Sequence, residues 1–154
     1  MKLVANIQLK PTREQAAALK ATLECCNEAC NWLSARSFAE AIFGQYALHK
    51  LAYRDIRSRF GLTAQVAVRC IAKVADAYKA GRDVQRTFRT HAAQPYDDRI
   101  FRFAAGDQVS IWTLAGRQKI AYVCGERQRK LRAFRKGEVD LMLVKGKWYV
   151  ACVC

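Results

Sequence analysis

At the start of the chain, apolar and polar residues alternate. Leu3, Ala5, Ile7 and Leu9 stand against Lys2, Asn6, Gln8 and Lys10, the period-two signature of a half-buried strand that Pro11 ends. The period then lengthens. Thr12 stands three residues before Gln15, as in a capping box, and Ala16, Leu19, Leu23, Cys26, Cys30 and Leu33 recur at helical spacing. This predicts a long helix to about Phe43, with Gly44 as its stop. Leu48, Leu51, Ala52, Ile56 and Phe60 predict a second helix closed by Gly61, and Thr63 is placed to cap a third. The third helix has Val66, Cys70, Val74 and Ala77 as its expected buried stripe, which leaves Gln65, Arg69 and Lys73 on another face. After Gly81 the pattern shifts to short strands at 99–103, 109–114, 118–124, 139–144 and 147–154, separated by Gly-containing turns.

A single strand ahead of three helices has no local partner for its backbone groups, so it is expected to pair with the later strands. The predicted class is therefore α+β: a small antiparallel β-barrel or sheet with a helical bundle inserted after its first strand. Two modules are expected, a discontinuous β module of 1–11 with 88–154 and an inserted helical module of 12–87.

Charge changes the picture next. Lys and Arg number 27 against 13 Asp and Glu, a net charge of +14 that implies a polyanionic partner, with nucleic acid the first candidate. Residues 11–50 are neutral while 51–98 carry +4 and 99–154 carry +8, so the second half is the side expected to meet the anion. No apolar run approaches the length of a membrane span, no basic amphipathic segment has a Trp-rich face, and the first residues do not read as a signal peptide. The chain is read as cytoplasmic, with no membrane partner. Its seven cysteines are odd in number and lack C-x-x-C spacing, so they are read as packing residues, with no metal or cofactor site in the chain.

Between Arg127 and Lys136, six of ten residues are basic and none is acidic: Arg127, Arg129, Lys130, Arg132, Arg135 and Lys136. Such a run repels itself until an external anion compensates it, so it is read as a phosphate-binding short helix or extended arm. Gln65, Arg69 and Lys73 could read base edges, since Gln suits adenine and Arg suits guanine, or form an ordinary wet helix face. Trp112 and Trp148 sit inside strand patterns and are read as packing residues rather than stacking platforms. Asp97 and Asp98 are adjacent carboxylates that fit a turn better than a two-metal pair. No catalytic grouping is found.

A set of short motifs then falls into one order: L-K-P-T-x-E-Q at 9–15, N-E-A-C-N-W at 27–32, L-H-K-L-x-Y-R-D-I-R at 48–57, F-G-L-T-A-Q at 60–65 and K-V-A-D-A-Y-K at 73–79. T-F-R-x-H-x-A-x-P-Y-D-D-R-I at 87–100, S-I-W-T-L-A-G-R at 110–117 and K-G-K-W-Y-V at 145–150 complete it. Together they resemble the amino-terminal region of TnpB proteins, the OrfB family of transposases, across essentially the whole chain. The resemblance implies a wedge-type, OB-like barrel interrupted by a helical recognition module. It also implies guide RNA and target DNA as partners, with protein reading backbone shape and a short adjacent motif while base pairing reads sequence. In the family the third helix lies near that motif, which makes Gln65 and Arg69 candidates.

The family's RuvC-like nuclease and its zinc element lie beyond the region matched, so cleavage and its Mg²⁺ are not expected of these 154 residues. The alternative within the resemblance is a stand-alone truncated regulator that occupies guide RNA or target DNA and has a full-length TnpB-like protein as a partner. A small cysteine-dependent enzyme is a third class, and it would need one accessible thiol of low pKa.

Overall fold

The alternating segment at the start becomes β1, Val4–Lys10, with Ala5, Ile7 and Leu9 buried. The computed structural model describes residues 3–133 and 137–153. The elements that follow are α1 (Arg13–Glu40), α2 (Gln45–Phe60), α3 (Ala64–Tyr78), β2 (Gln94–Tyr96), β3 (Phe101–Ala104), β4 (Gln108–Thr113), β5 (Gly116–Val123), α4 (Glu126–Arg132), β6 (Val139–Val144) and β7 (Lys147–Val153). The architecture is α+β, as the patterning predicts. The chain divides into two compact units, 1–22 with 93–154 and 23–92.

In the first unit all seven strands form one antiparallel sheet in the order β2-β6-β7-β1-β5-β4-β3. As expected, β1 pairs with late strands: Val4 faces Val153 on β7 and Lys10 faces Ala121 on β5. The outermost strands, β2 and β3, are consecutive in sequence and joined only by residues 97–100, so the sheet curls until it is nearly closed. The Tyr96 hydroxyl on β2 donates to the Trp112 carbonyl on β4 at 2.9 Å, and the Trp112 amide donates to the Ile100 carbonyl at 2.9 Å. The interior is filled by Ile7, Phe101, Ile111, Ile120, Leu141, Val150 and Cys152, each fully or almost fully removed from solvent. The β6–β7 hairpin turns on Lys145 and Gly146, both at positive φ (50° and 77°), the geometry of a two-residue turn that matches strand twist. The first part of α1, Arg13 to Thr22, belongs to this unit. Its capping box forms, with the Thr12 amide donating to Gln15 Oε1 at 3.0 Å and the Gln15 amide to Thr12 Oγ1 at 3.2 Å.

In the second unit, Leu48, Ala52 and Ile56 form the buried stripe of α2, while Val66, Ala67, Cys70, Ile71, Val74, Ala75 and Tyr78 form that of α3. Tyr78, not Ala77, completes the α3 stripe. Gly61 ends α2 in the left-handed region at φ 65°. Gly44 does not stop α1. The helix ends at Glu40, Ala41 takes φ 54°, and the Ser37 hydroxyl donates back to the Ile42 carbonyl. Gly44 instead sits extended at the N-cap of α2. A side chain with a Cβ is strained at Ala41, so Ala41→Gly is expected to raise stability by about 1 kcal/mol. A denaturation midpoint unchanged or lowered would contradict that.

Within the second unit, the backbone of 82–92 is held by α1 side chains. Asn27 Nδ2 donates to the carbonyls of Thr90 (3.2 Å) and Ala92 (2.9 Å), and Asn31 bridges Phe88 through both its Nδ2 (2.9 Å) and Oδ1 (2.7 Å). One turn further on, the Ser34 hydroxyl donates to the Arg86 carbonyl, and the Arg86 amide donates to the Tyr78 hydroxyl at 3.1 Å. Asn27, Asn31 and Ser34 share one helix face, so a polar stripe on α1 serves as a substitute edge for an extended strap.

Candidate nucleic-acid interface

The described part of the basic run, Arg127 to Arg132, lies in the short helix α4 (Glu126–Arg132). Glu126 lies in its first turn and Arg129, Lys130 and Arg132 in its last, the arrangement the helix dipole favours. Two of its cations are committed to the sheet beneath. Arg129 makes a two-pronged pair with Asp107 at 3.1 and 3.0 Å, and the guanidinium holds the Asp107 carboxyl below its ordinary pKa. Arg132 donates to the Tyr122 hydroxyl and lies over the rings of Phe103 (4.8 Å) and Tyr122 (5.6 Å). Arg127 and Lys130 remain exposed, Lys130 with a 3.6 Å contact to Glu126. Arg135 and Lys136 lie outside the described residues.

The outer face of the sheet carries further cations that the run-based reading missed. Arg102, Ser110 and Lys119 stand side by side across β3, β4 and β5, and Arg117 on β5 donates to Ser110 Oγ at 2.6 Å. Lys10 ends β1 on the same face, beside Ala121. No Asp or Glu occurs in β1, β3, β4 or β5, so these four cations meet no acid within those strands. The signal was present as basic residues at alternating solvent positions, Arg117 and Lys119 above all. It becomes a patch only once register aligns the strands. Next to it, an open groove of about 400 Å³ is lined by Asn6, Gln8 and Tyr149 from the sheet and Gly125 and Gln128 from the start of α4. It offers amides and one aromatic ring.

The α3 trio lies in the other unit. Gln65, Arg69 and Lys73 do share a face, but all three are half-buried. Lys73 is engaged inside the unit: its ammonium donates to Asn27 Oδ1 at 2.7 Å and sits 5.1 Å from the centre of the Phe88 ring. It supports the strap and is poorly placed to reach a ligand. Thr63 is at the α3 N-cap, without a side-chain capping bond.

Trp148 is buried as expected, whereas Trp112 is partly exposed. Asp97 and Asp98 form a turn: Asp97 Oδ1 accepts the Arg99 amide at 3.0 Å and its carbonyl accepts the amides of Ile100 and Phe101. Among the described residues no group of three or more His, Cys, Asp or Glu side chains is placed to hold a metal ion. The described cysteines are all free thiols. Hydrogen bonding to Cys70 and then burial push the Cys30 thiol well up, the contact with Cys26 does so first at Cys70, and burial followed by Glu28 raises Cys25. Raised thiols are poor nucleophiles, which weighs against a cysteine-dependent enzyme at these three positions. Among the described residues no helix is long and apolar enough to cross a membrane.

No protein-family model matches the chain, and no match is found among curated proteins.

Proposed function

We propose that the chain is a nucleic-acid-binding module, the amino-terminal gripping part of a cytoplasmic RNA-guided DNA endonuclease of the TnpB type. In this reading it holds guide RNA scaffold and target DNA and leaves cutting to residues outside it. The observation that carries the binding part is the outer face of the sheet, where Lys10, Arg102, Arg117 and Lys119 lie on strands with no acid; α4 separately exposes Arg127 and Lys130. Fixed cations on a rigid sheet suit phosphates, and the amide-lined groove beside them suits base edges. The TnpB assignment rests on the order of the sequence motifs, and the barrel interrupted by helices is compatible with it.

The test is to purify the protein from its host without added nuclease and to sequence the RNA that accompanies it. One abundant structured RNA encoded beside the gene is the expected result. Random RNA that washes off in moderate salt would remove the guided reading and keep general binding, and no RNA or DNA binding at all would remove both.

The structure also sharpens which charges to change. Arg127→Gln with Lys130→Gln is expected to flatten the slope of log affinity against log salt by about 1.4 to 1.8, because each phosphate contact made on binding releases about 0.7 to 0.9 of a counterion and two are removed. An unchanged slope would take α4 out of the interface. Arg129 and Arg132 are unsuitable for this experiment, since they hold α4 on the sheet.

A further inference from the structure

Outside the surfaces already described, α2 exposes a face on which cations and rings alternate. Tyr46, His49, Lys50, Tyr53, Arg54 and Arg57 fall within one side of the helix, opposite buried Leu48, Ala52 and Ile56. Tyr46 is 74% exposed, unusual for a ring of that size, with the Lys50 ammonium 4.7 Å from its centre. His49 and Tyr53 stack at 4.4 Å and 13°, and the Arg57 guanidinium lies 5.8 Å from the Tyr53 ring. Two open grooves run along this face and both are lined by Tyr53 and Arg54; one continues past Arg57 and Ser58 to Thr63 at the α3 N-cap. The helix has one acid, Asp55, which lines the first groove and pairs with Arg36 at 3.0 Å, against three cations, Lys50, Arg54 and Arg57, on this side. Trp32 lies on α1, outside this face of α2, with Arg36 and Arg59 over its ring.

We propose that this face of α2 is a binding track for single-stranded nucleic acid, with Lys50, Arg54 and Arg57 on successive phosphates and Tyr46 stacking on an unpaired base. The inference deepens the nucleic-acid reading and rests on it. Charge alone would suit any polyanion, and the rings make the choice. Bases in a duplex are covered on both faces by their neighbours, so an exposed ring gains a stacking partner only from an unstacked base. A helix that read a duplex groove would instead need amides or guanidinia aimed at base edges.

The experiment measures binding of the full chain to a labelled 12-nucleotide single-stranded RNA, the same sequence as single-stranded DNA, the matched duplex, and inorganic polyphosphate as an anion without bases. Tyr46→Ala is expected to weaken single-strand binding about tenfold, Tyr46→Phe to restore it, and polyphosphate binding to stay unchanged. Arg54→Gln with Arg57→Gln is expected to weaken all ligands and reduce the salt slope. Equal loss with RNA and DNA assigns the track to either strand chemistry, and loss with one alone names it. If the wild-type protein binds nucleic acid but Tyr46→Ala changes nothing, or the duplex is preferred and depends equally on Tyr46, the α2 track is overturned while the broader reading stands. If the wild-type protein binds none of the nucleic acids, both fall.

Discussion

Asn27→Ala is expected to lower the unfolding free energy by about 2 to 4 kcal/mol, a large effect for one uncharged side chain. Asn27 is 1% exposed, and its two amide protons are shared among the carbonyls of Leu23, Thr90 and Ala92 while its oxygen accepts the Lys73 ammonium. Alanine removes all of these at once and leaves polar groups with fewer partners in a buried place, where the cost is desolvation without compensation. The strap 82–92 should loosen before the helices do, because it lies in no described helix or strand. Arg82, Arg86 and Arg89 make trypsin a direct reporter: cleavage after Arg86 and Arg89 should accelerate at least tenfold in Asn27→Ala, and further when Asn31→Ala is added. Wild-type stability and unchanged cleavage would show that the asparagine contacts do not hold the strap.

The strap also marks the limit of what patterning reveals. Periodicity located β1, the three long helices and the late strands because each has one face against a core, and burial writes period two or 3.6 into the residues. Asn27, Asn31 and Ser34 lie on α1 at helical spacing too, but a polar stripe ordinarily means solvent, and their partners are backbone groups 52 to 65 residues away. Lys73 was read as exposed for the same reason. The strand β2 escaped because it has three residues and contains Pro95; it lies at one end of the sheet order, where proline is tolerated. Gly44 misled because glycine is the usual helix stop, whereas here Ser37 and a strained Ala41 end the helix first. Among site residues, a contiguous cation run was easy to see, yet two of its members hold α4 in place. The patch of Lys10, Arg102, Arg117 and Lys119 is scattered over more than a hundred residues of sequence and assembled only by strand register.

The second large effect is expected at the centre of that sheet. Ile7→Ala should cost about 2 to 5 kcal/mol, the range for deleting most of a fully buried aliphatic side chain and leaving a cavity. Ile7 is 0% exposed, lies opposite Val150 on β7, and belongs to the strand that has β7 on one side and β5 on the other. Without β1 the order breaks into β2-β6-β7 and β5-β4-β3, two sheets with fresh edges and no shared interior. A cavity at Ile7 therefore weakens the element on which the continuity of the sheet depends. Gln8→Ala, one residue along and on the outer face, should change stability by less than about 0.5 kcal/mol. Urea unfolding of the pair checks this: the Ile7→Ala midpoint should fall with little change in slope, and the Gln8→Ala curve should overlay the wild type. Equal effects at the two positions would mean that β1 does not present alternate faces to core and solvent, and the outer patch, which depends on that alternation to point Lys10 outward, would lose its basis with it.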